Sequence, residues 1–184
     1  IPDNDLKTLE DLALVFETQN ISSSPSKFDM DQLLFWQKKT VESLTVNECK
    51  EWLEKHLRDL PSDLNHEDFI ELIKDNINFP EEAKNYLNKL FHQPLTAQTE
   101  VENIIKTAGK EFYLVAYKVI DSGFDNWIEA TKLIGGESGK KGKDLFMPLR
   151  VAITGQTKGP ELDKVVDFIG VNRVLERVRE ASEL

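Results

Sequence analysis

The sequence contains one cysteine, Cys49, and lacks any apolar run near the roughly 20 residues needed to cross a bilayer. A lone cysteine excludes an internal disulfide framework, and neither it nor His56, His66 and His92 has the spacing of metal ligands. The first residues also lack the basic-then-apolar pattern of a secretory signal. We therefore expect a soluble cytoplasmic protein with no bound metal and no membrane partner.

Glycine and proline are scarce, with nine and seven residues among 184, and no segment shows the alternation that is typical of a strand. Apolar residues instead recur at steps of three and four, which predicts amphipathic helices. The apolar fraction of 40% is enough for a core. We predict an all-α fold with two helical bundles, over 46–93 and 94–184, preceded by a segment over 1–45.

Capping residues indicate where the helices of the first half begin. The serine-rich stretch from Asn20 to Ser26 predicts a loop between the first two of these helices. The expected helix starts are Thr8 with Asp11, Asp29 with Gln32, Thr45 with Glu48, Asn65, and Pro80 as a first helical residue.

Glycines and prolines indicate the helix boundaries of the second half. We expect a helix over 125–134 to be ended by a glycine-rich stretch, and new helices to begin at Pro148 and Pro160. Asn172 is expected to cap the last helix. The glycines of that stretch are Gly135, Gly136, Gly139 and Gly142.

The net charge of −10 is unevenly distributed along the chain. Residues 138–184 carry nine of the 23 basic and seven of the 33 acidic groups, which leaves 14 basic and 26 acidic groups in 1–137. The C-terminal quarter therefore has a balance of +2 and the remainder a balance of −12. This distribution favours the C-terminal quarter as the end that faces an anion, and the acidic remainder as a solvated helical surface.

The glycine-rich stretch carries Lys140, Lys141 and Lys143, with Arg150 shortly after it. Its spacing does not fit a P-loop, and no strand leads into it as a dinucleotide-binding loop requires. Four basic residues so placed could follow a nucleic-acid backbone, and a solvated linker loop is the alternative. No arrangement of histidine with a serine or cysteine nucleophile is apparent, so we expect no catalytic residue.

Residues 139–162, which read GKKGKDLFMPLRVAITGQTKGPEL, closely resemble the C-terminal anticodon-binding region of bacterial-type glutamyl-tRNA synthetases. Residues 9–29, LEDLALVFETQNISSSPSKFD, resemble the segment that follows the catalytic domain in that family, which implies that 1–45 is a post-catalytic, stem-contact-like segment. The catalytic signatures of the family, His-x-Gly-His and Lys-Met-Ser-Lys-Ser, do not occur in the 184 residues. The resemblance therefore implies a non-catalytic piece whose parent, a glutamate–tRNA ligase, handles ATP and magnesium elsewhere.

The resemblance implies a binding site for the anticodon of the glutamate tRNA. It gives Arg150 a base-reading role and places Pro160 and Leu162 in the same pocket, and we add Thr154 from the matched string. By their charge and position, Lys140, Lys141 and Lys143 are the candidates for phosphate contacts. A guanidinium suits the role because it offers a planar face to an unstacked base and a fork of donors to its edge. We expect tRNA(Glu) as partner, no DNA, no cofactor on this chain, and a monomer.

Other interpretations remain open at the level of sequence. Arg150 could form a salt bridge inside a bundle, and Pro160 could do no more than begin a helix. The whole chain could be the anticodon domain of a class I lysyl-tRNA synthetase, or a helical protein-interaction module that does not bind RNA. The helix expected from Pro80 to Phe91 also departs from the family, because only Lys84 and Lys89 stand where an arginine is usual.

Overall fold

A computed structural model describes residues 6–21, 23–24 and 27–184. This part of the chain contains α-helices, short 3-10 and π turns, and no strand, so the predicted all-α fold is confirmed. The predicted loop over 20–26 lies partly outside the described residues. The helices are α1 (Leu9–Val15), α2 (Met30–Ser43), α3 (Val46–Leu53), α4 (His66–Ile73), α5 (Pro80–Leu87), α6 (Thr99–Ala108), α7 (Lys110–Asp121), α8 (Trp127–Ser138), α9 (Lys143–Thr154), α10 (Leu162–Ile169) and α11 (Val171–Ser182).

The helix starts predicted for the first half are confirmed. Thr8 accepts a hydrogen bond from the backbone of Asp11, and Thr45 and Glu48 form a reciprocal capping box at the start of α3. Asp29 and Asn65 cap α2 and α4 through their side-chain oxygens. Pro80 is the first residue of α5, where its missing amide hydrogen costs nothing.

Two helix boundaries in the second half were predicted wrongly. Helix α8 ends at Ser138, four residues later than predicted, and Gly139 of the predicted stretch caps it in the left-handed conformation with φ of 70°. Gly135 does not break the helix and instead provides close approach to α9. A methyl group added at Gly135 would lie 3.0 Å from Cδ2 of Leu145. Helix α9 begins at Lys143, so Pro148 lies inside it. Burial of Leu145 and Leu149, one turn apart, offsets the backbone hydrogen bond that proline removes.

The starts of the last two helices also differ from the prediction. Helix α10 begins at Leu162, and Pro160 belongs to the turn before it. Gly170 separates α10 from α11 with φ of 78°, a conformation that other residues rarely adopt. The chain can therefore start α11 at Val171, which leaves Asn172 inside the helix and removes its capping role.

We call α3 to α5 the first bundle and α6 to α11 the second bundle. Buried side chains of both belong to one hydrophobic cluster, and the rings of Phe69 in α4 and Phe168 in α10 lie 5.7 Å apart. Helix α1 contributes nothing to this core, since Leu9 and Leu14 are 80% and 85% exposed. The divisions at 45/46 and 93/94 remain predictions.

Candidate nucleic-acid interface

Arg150 and Pro160 meet at a turn between α9 and α10. Nη1 of Arg150 donates a hydrogen bond of 2.9 Å to the backbone oxygen of Pro160. Thr154 caps the C-terminal end of α9, the helix that also carries Arg150. Its hydroxyl donates to the backbone oxygen of Arg150 at 2.7 Å and accepts from the amide of Gln156 at 3.1 Å. Three of the residues predicted for the anticodon pocket are therefore neighbours. We call the segment 155–160 the turn.

The exposure of these residues limits how they can meet a ligand. Arg150 is half-buried and forms no ion pair with any described residue, so a salt bridge inside the bundle is not its role. Pro160 and Leu162 are buried, with Leu162 only 9% exposed at the start of α10. A ligand at the turn would therefore meet the guanidinium of Arg150 and the backbone of the turn more than apolar side chains.

An open groove of about 1020 Å³ lies beside the turn and contains the predicted lysines. Lys140, Lys141 and Lys143 line it, together with Lys158 from the turn. Sequence reasoning missed Lys158, although it lies in the string that carries the resemblance, one position before the glycine of the Gly-Pro pair. Two carboxylates, Glu100 and Asp144, also line the groove, so its charge balance is +2.

The four lysines of the groove differ in how firmly they are held. The Nζ atom of Lys140 lies 5.3 Å from the centre of the Phe112 ring, so its position is partly fixed by a cation–π contact. Lys141, Lys143 and Lys158 are exposed and form no ion pair with the described residues. Lys143 is the first residue of α9, which corrects the prediction that it belongs to a loop. The groove thus offers cations that can meet an anionic ligand.

The arginines of α11 join the two bundles. Arg173 donates to both carboxylate oxygens of Asp63, at 2.8 and 2.9 Å, and this hydrogen bonding lowers the pKa of Asp63. The guanidinium of Arg177 donates to the backbone oxygens of Lys89 and Gln93, each at 3.1 Å, and to Glu180 at 3.0 Å. The guanidinium groups of Arg173 and Arg177 therefore bind partners inside the molecule.

No cluster of three or more histidine, cysteine, aspartate or glutamate side chains within the described ranges is placed to hold a metal ion. No helix in that part of the chain is long and apolar enough to cross a membrane. Burial raises the pKa of the Cys49 thiol, which lies in the core of the first bundle.

Known proteins resemble this chain over nearly its full length. It is 36% identical over 179 residues to glutamate–tRNA ligase 1 of Halorhodospira halophila and 37% identical over 172 residues to glutamate–tRNA ligase 2 of Acidithiobacillus ferrooxidans. These alignments cover 97% and 93% of the chain but only 37% and 35% of the relatives, so the chain spans little more than a third of their length.

The fold is also found in a solved structure. Glutamate–tRNA synthetase from Elizabethkingia anophelis superposes with a TM-score of 0.74 at 18% identity, over 95% of this chain and 36% of that one. The relatives found do not favour the alternative interpretations as a lysyl-tRNA synthetase domain or a protein-interaction module. The family model described as "Anticodon binding domain" matches residues 44–182, and the chain therefore belongs to that family.

Proposed function

We propose that this chain binds the anticodon arm of tRNA(Glu) as the non-catalytic part of a glutamate–tRNA ligase. The observation that carries the proposal is the arrangement of Arg150 and the Gly159–Pro160 turn beside a groove lined by four lysines. The names of the relatives support glutamate as the amino acid and a ligase as the parent enzyme.

The lysines and Arg150 have different tasks in this proposal. Exposed lysines attract phosphates regardless of sequence and release bound counterions, which makes the affinity depend on salt. Arg150 has one donor engaged with Pro160, so its guanidinium is oriented and its other donors and planar face remain for a base. Phosphate contacts then position the RNA, and the contact to a base edge specifies it.

The proposed parent enzyme activates glutamate with ATP and magnesium in a part that lies outside these 184 residues. This chain then supplies no catalytic residue and needs no cofactor of its own. We place the protein in the cytoplasm, where tRNA is charged. We also expect it to be a monomer.

The proposal is tested by titrating a tRNA(Glu) transcript, and the same transcript with a changed anticodon, against the purified chain. Gel shifts at several salt concentrations should show binding that weakens with salt and favours the cognate anticodon by about 1–3 kcal/mol for each base read. Absence of salt-dependent binding would contradict RNA binding. Equal affinity for the two transcripts would contradict anticodon reading.

A further inference from the structure

We propose that Tyr86, in the first bundle, is a positioning residue that sets anticodon discrimination by holding the Gly159–Pro160 turn and, through it, Arg150. This inference rests on the proposed function and adds a residue outside the predicted site. It also assigns a task to α5, whose single lysine, Lys84, does not line the cavity beneath the turn.

The ring of Tyr86 lies directly against the turn. A methyl group added at Gly159 would be 3.3 Å from both Cε1 and Oη of Tyr86, which is closer than such groups normally approach. Gly159 also has φ of 144°, so the site favours glycine by conformation as well as by space. The turn therefore rests on the tyrosine ring with no side chain between them.

The surroundings of Tyr86 enclose its ring between the bundles. A small cavity beneath the turn is lined by Tyr86 and Leu72 from the first bundle and by Thr154, Pro160 and Val165 from the second. Burial is the main cause that raises the pKa of the Tyr86 hydroxyl, Glu82 raises it further, and the nearby guanidinium of Arg150 opposes the rise. Tyr86 is thus a neutral phenol within the electrostatic reach of Arg150.

Position matters here because Arg150 is held by the turn and not by an acidic partner. Its hydrogen bond ends on the oxygen of Pro160, the residue next to the glycine that the ring supports. If the ring were removed, the turn could sink into the space it left, and the guanidinium would move with it. A group that reads a base loses selectivity when its geometry loosens by a fraction of an ångström.

Lys84 and Lys89, the two lysines between Pro80 and Phe91, do not hold Arg150 in place. Lys84 is exposed, and Lys89, just beyond α5, meets the second bundle through its backbone oxygen, which accepts from Arg177. The first bundle therefore influences the base-reading residue by packing, and this influence should appear as specificity more than as affinity.

The test compares Tyr86→Phe, Tyr86→Leu and the control Tyr117→Leu, which removes a half-buried ring of α7. The measured quantity is the ratio of Kd values for the altered and cognate tRNA(Glu) transcripts. Tyr86→Phe and the control should keep the wild-type ratio, and Tyr86→Leu should lower it about tenfold, within the range expected when one base is no longer read. Gly159→Ala, which keeps the ring but crowds the turn, should lower the ratio too.

A double-mutant cycle separates positioning from general stability. In the Arg150→Ala background, Tyr86→Leu should change the ratio no further, since it acts through the arginine. An unchanged ratio in Tyr86→Leu or in Gly159→Ala, or an equal fall with and without Arg150, would overturn the positioning role. Equal affinity of the wild-type chain for both transcripts would instead overturn the proposed function, and this inference with it.

Discussion

Six of the nine basic residues of the C-terminal quarter form two groups with opposite environments. Lysines 140, 141, 143 and 158 line an open groove, and three of them are exposed without an ion pair among the described residues. Arg173 and Arg177 lie on α11 and donate to a carboxylate or to backbone oxygens of the first bundle and of the segment that follows it. The lysines of the groove are available to a partner, whereas the donors of these two arginines are already used inside the molecule.

The chemistry of the two side chains explains this division. The planar guanidinium has several donors in fixed directions, so it can satisfy two carbonyls and a carboxylate at once, as Arg177 does. Burial lowers the pKa of Arg177, whose side chain is only 12% exposed. Lysine is a hydrated point charge on a flexible stem and suits contacts with phosphates that vary in position.

The largest effect should come from removing the buried arginine. Arg177→Ala removes the donor that the oxygens of Lys89 and Gln93 share, and it leaves Glu180 with the amide of Leu95 but without its cation. We expect a loss of about 3 kcal/mol in the free energy of unfolding, because two backbone oxygens each lose a hydrogen bond from a charged donor. Urea denaturation measures it.

The control for that variant is Arg179→Ala on the same helix, whose side chain is 71% exposed. Its change should stay within about 0.5 kcal/mol. A comparable loss in both variants would contradict the structural role assigned to Arg177. The folded Arg177→Ala protein should also keep the salt dependence of tRNA binding, because this arginine does not face the groove.

Arg150→Ala tests the proposed base-reading residue, which belongs to neither of the two groups. It should cost about 1–3 kcal/mol with the cognate anticodon and much less with an altered one, and Arg150→Lys should rescue little. Binding titrations with both transcripts measure the difference, with thermal melting run alongside. A variant that melts normally and weakens both complexes equally would reassign Arg150 to a phosphate contact.

Replacing Lys140, Lys141 and Lys143 with alanine should have a smaller effect for each residue and no effect on specificity. The slope of log Kd against log salt should flatten by roughly 0.7–0.9 for each phosphate that is no longer neutralised. Adding Lys158→Ala should flatten it further. The matched control replaces Lys27, Lys55 and Lys132, three exposed lysines outside the groove that form no ion pair with the described residues. If the control flattens the slope as much, the groove is not the phosphate site.

The smallest effect concerns Asp63, which is 63% exposed. Its hydrogen bonds with Arg173 lower its pKa in the folded state. The ion pair therefore stabilises the fold fully at pH values above the ordinary aspartate pKa of about 3.9, and this stabilisation is lost as the pH falls through the lowered pKa. Asp63→Asn should therefore melt slightly below the wild type at pH 7, and the gap should close in acid. A gap that is unchanged or wider in acid would exclude this ion pair as its cause.

Local signals in the sequence were sufficient for most helix starts. Thr45 with Glu48 and Asn65 act within a few residues of the helix they begin, so their effect could be predicted without knowledge of the fold. Gly135 and Pro148 could not be understood in that way. Their places inside helices depend on packing between α8 and α9, which the sequence does not reveal one residue at a time.

The candidate site was predictable to a similar extent. The resemblance named Arg150, Thr154 and Pro160, and the structure brings all three to one turn. Lys158 and Tyr86 were missed as site residues. Lys158 joins the other lysines only through the fold, and Tyr86 reaches the turn from 73 residues away along the chain. A charge total also could not separate the lysines of the groove from the arginines that join the bundles.

The most direct measurement is a chemical-shift titration of the isotopically labelled chain with an isolated anticodon stem-loop of tRNA(Glu). We predict that amide shifts concentrate at 139–143 and 150–162, with weaker changes at Tyr86 and little change along α11 or in the acidic helices α3 and α4. Shifts concentrated on α11 or on those acidic helices, or no shifts at all, would contradict it.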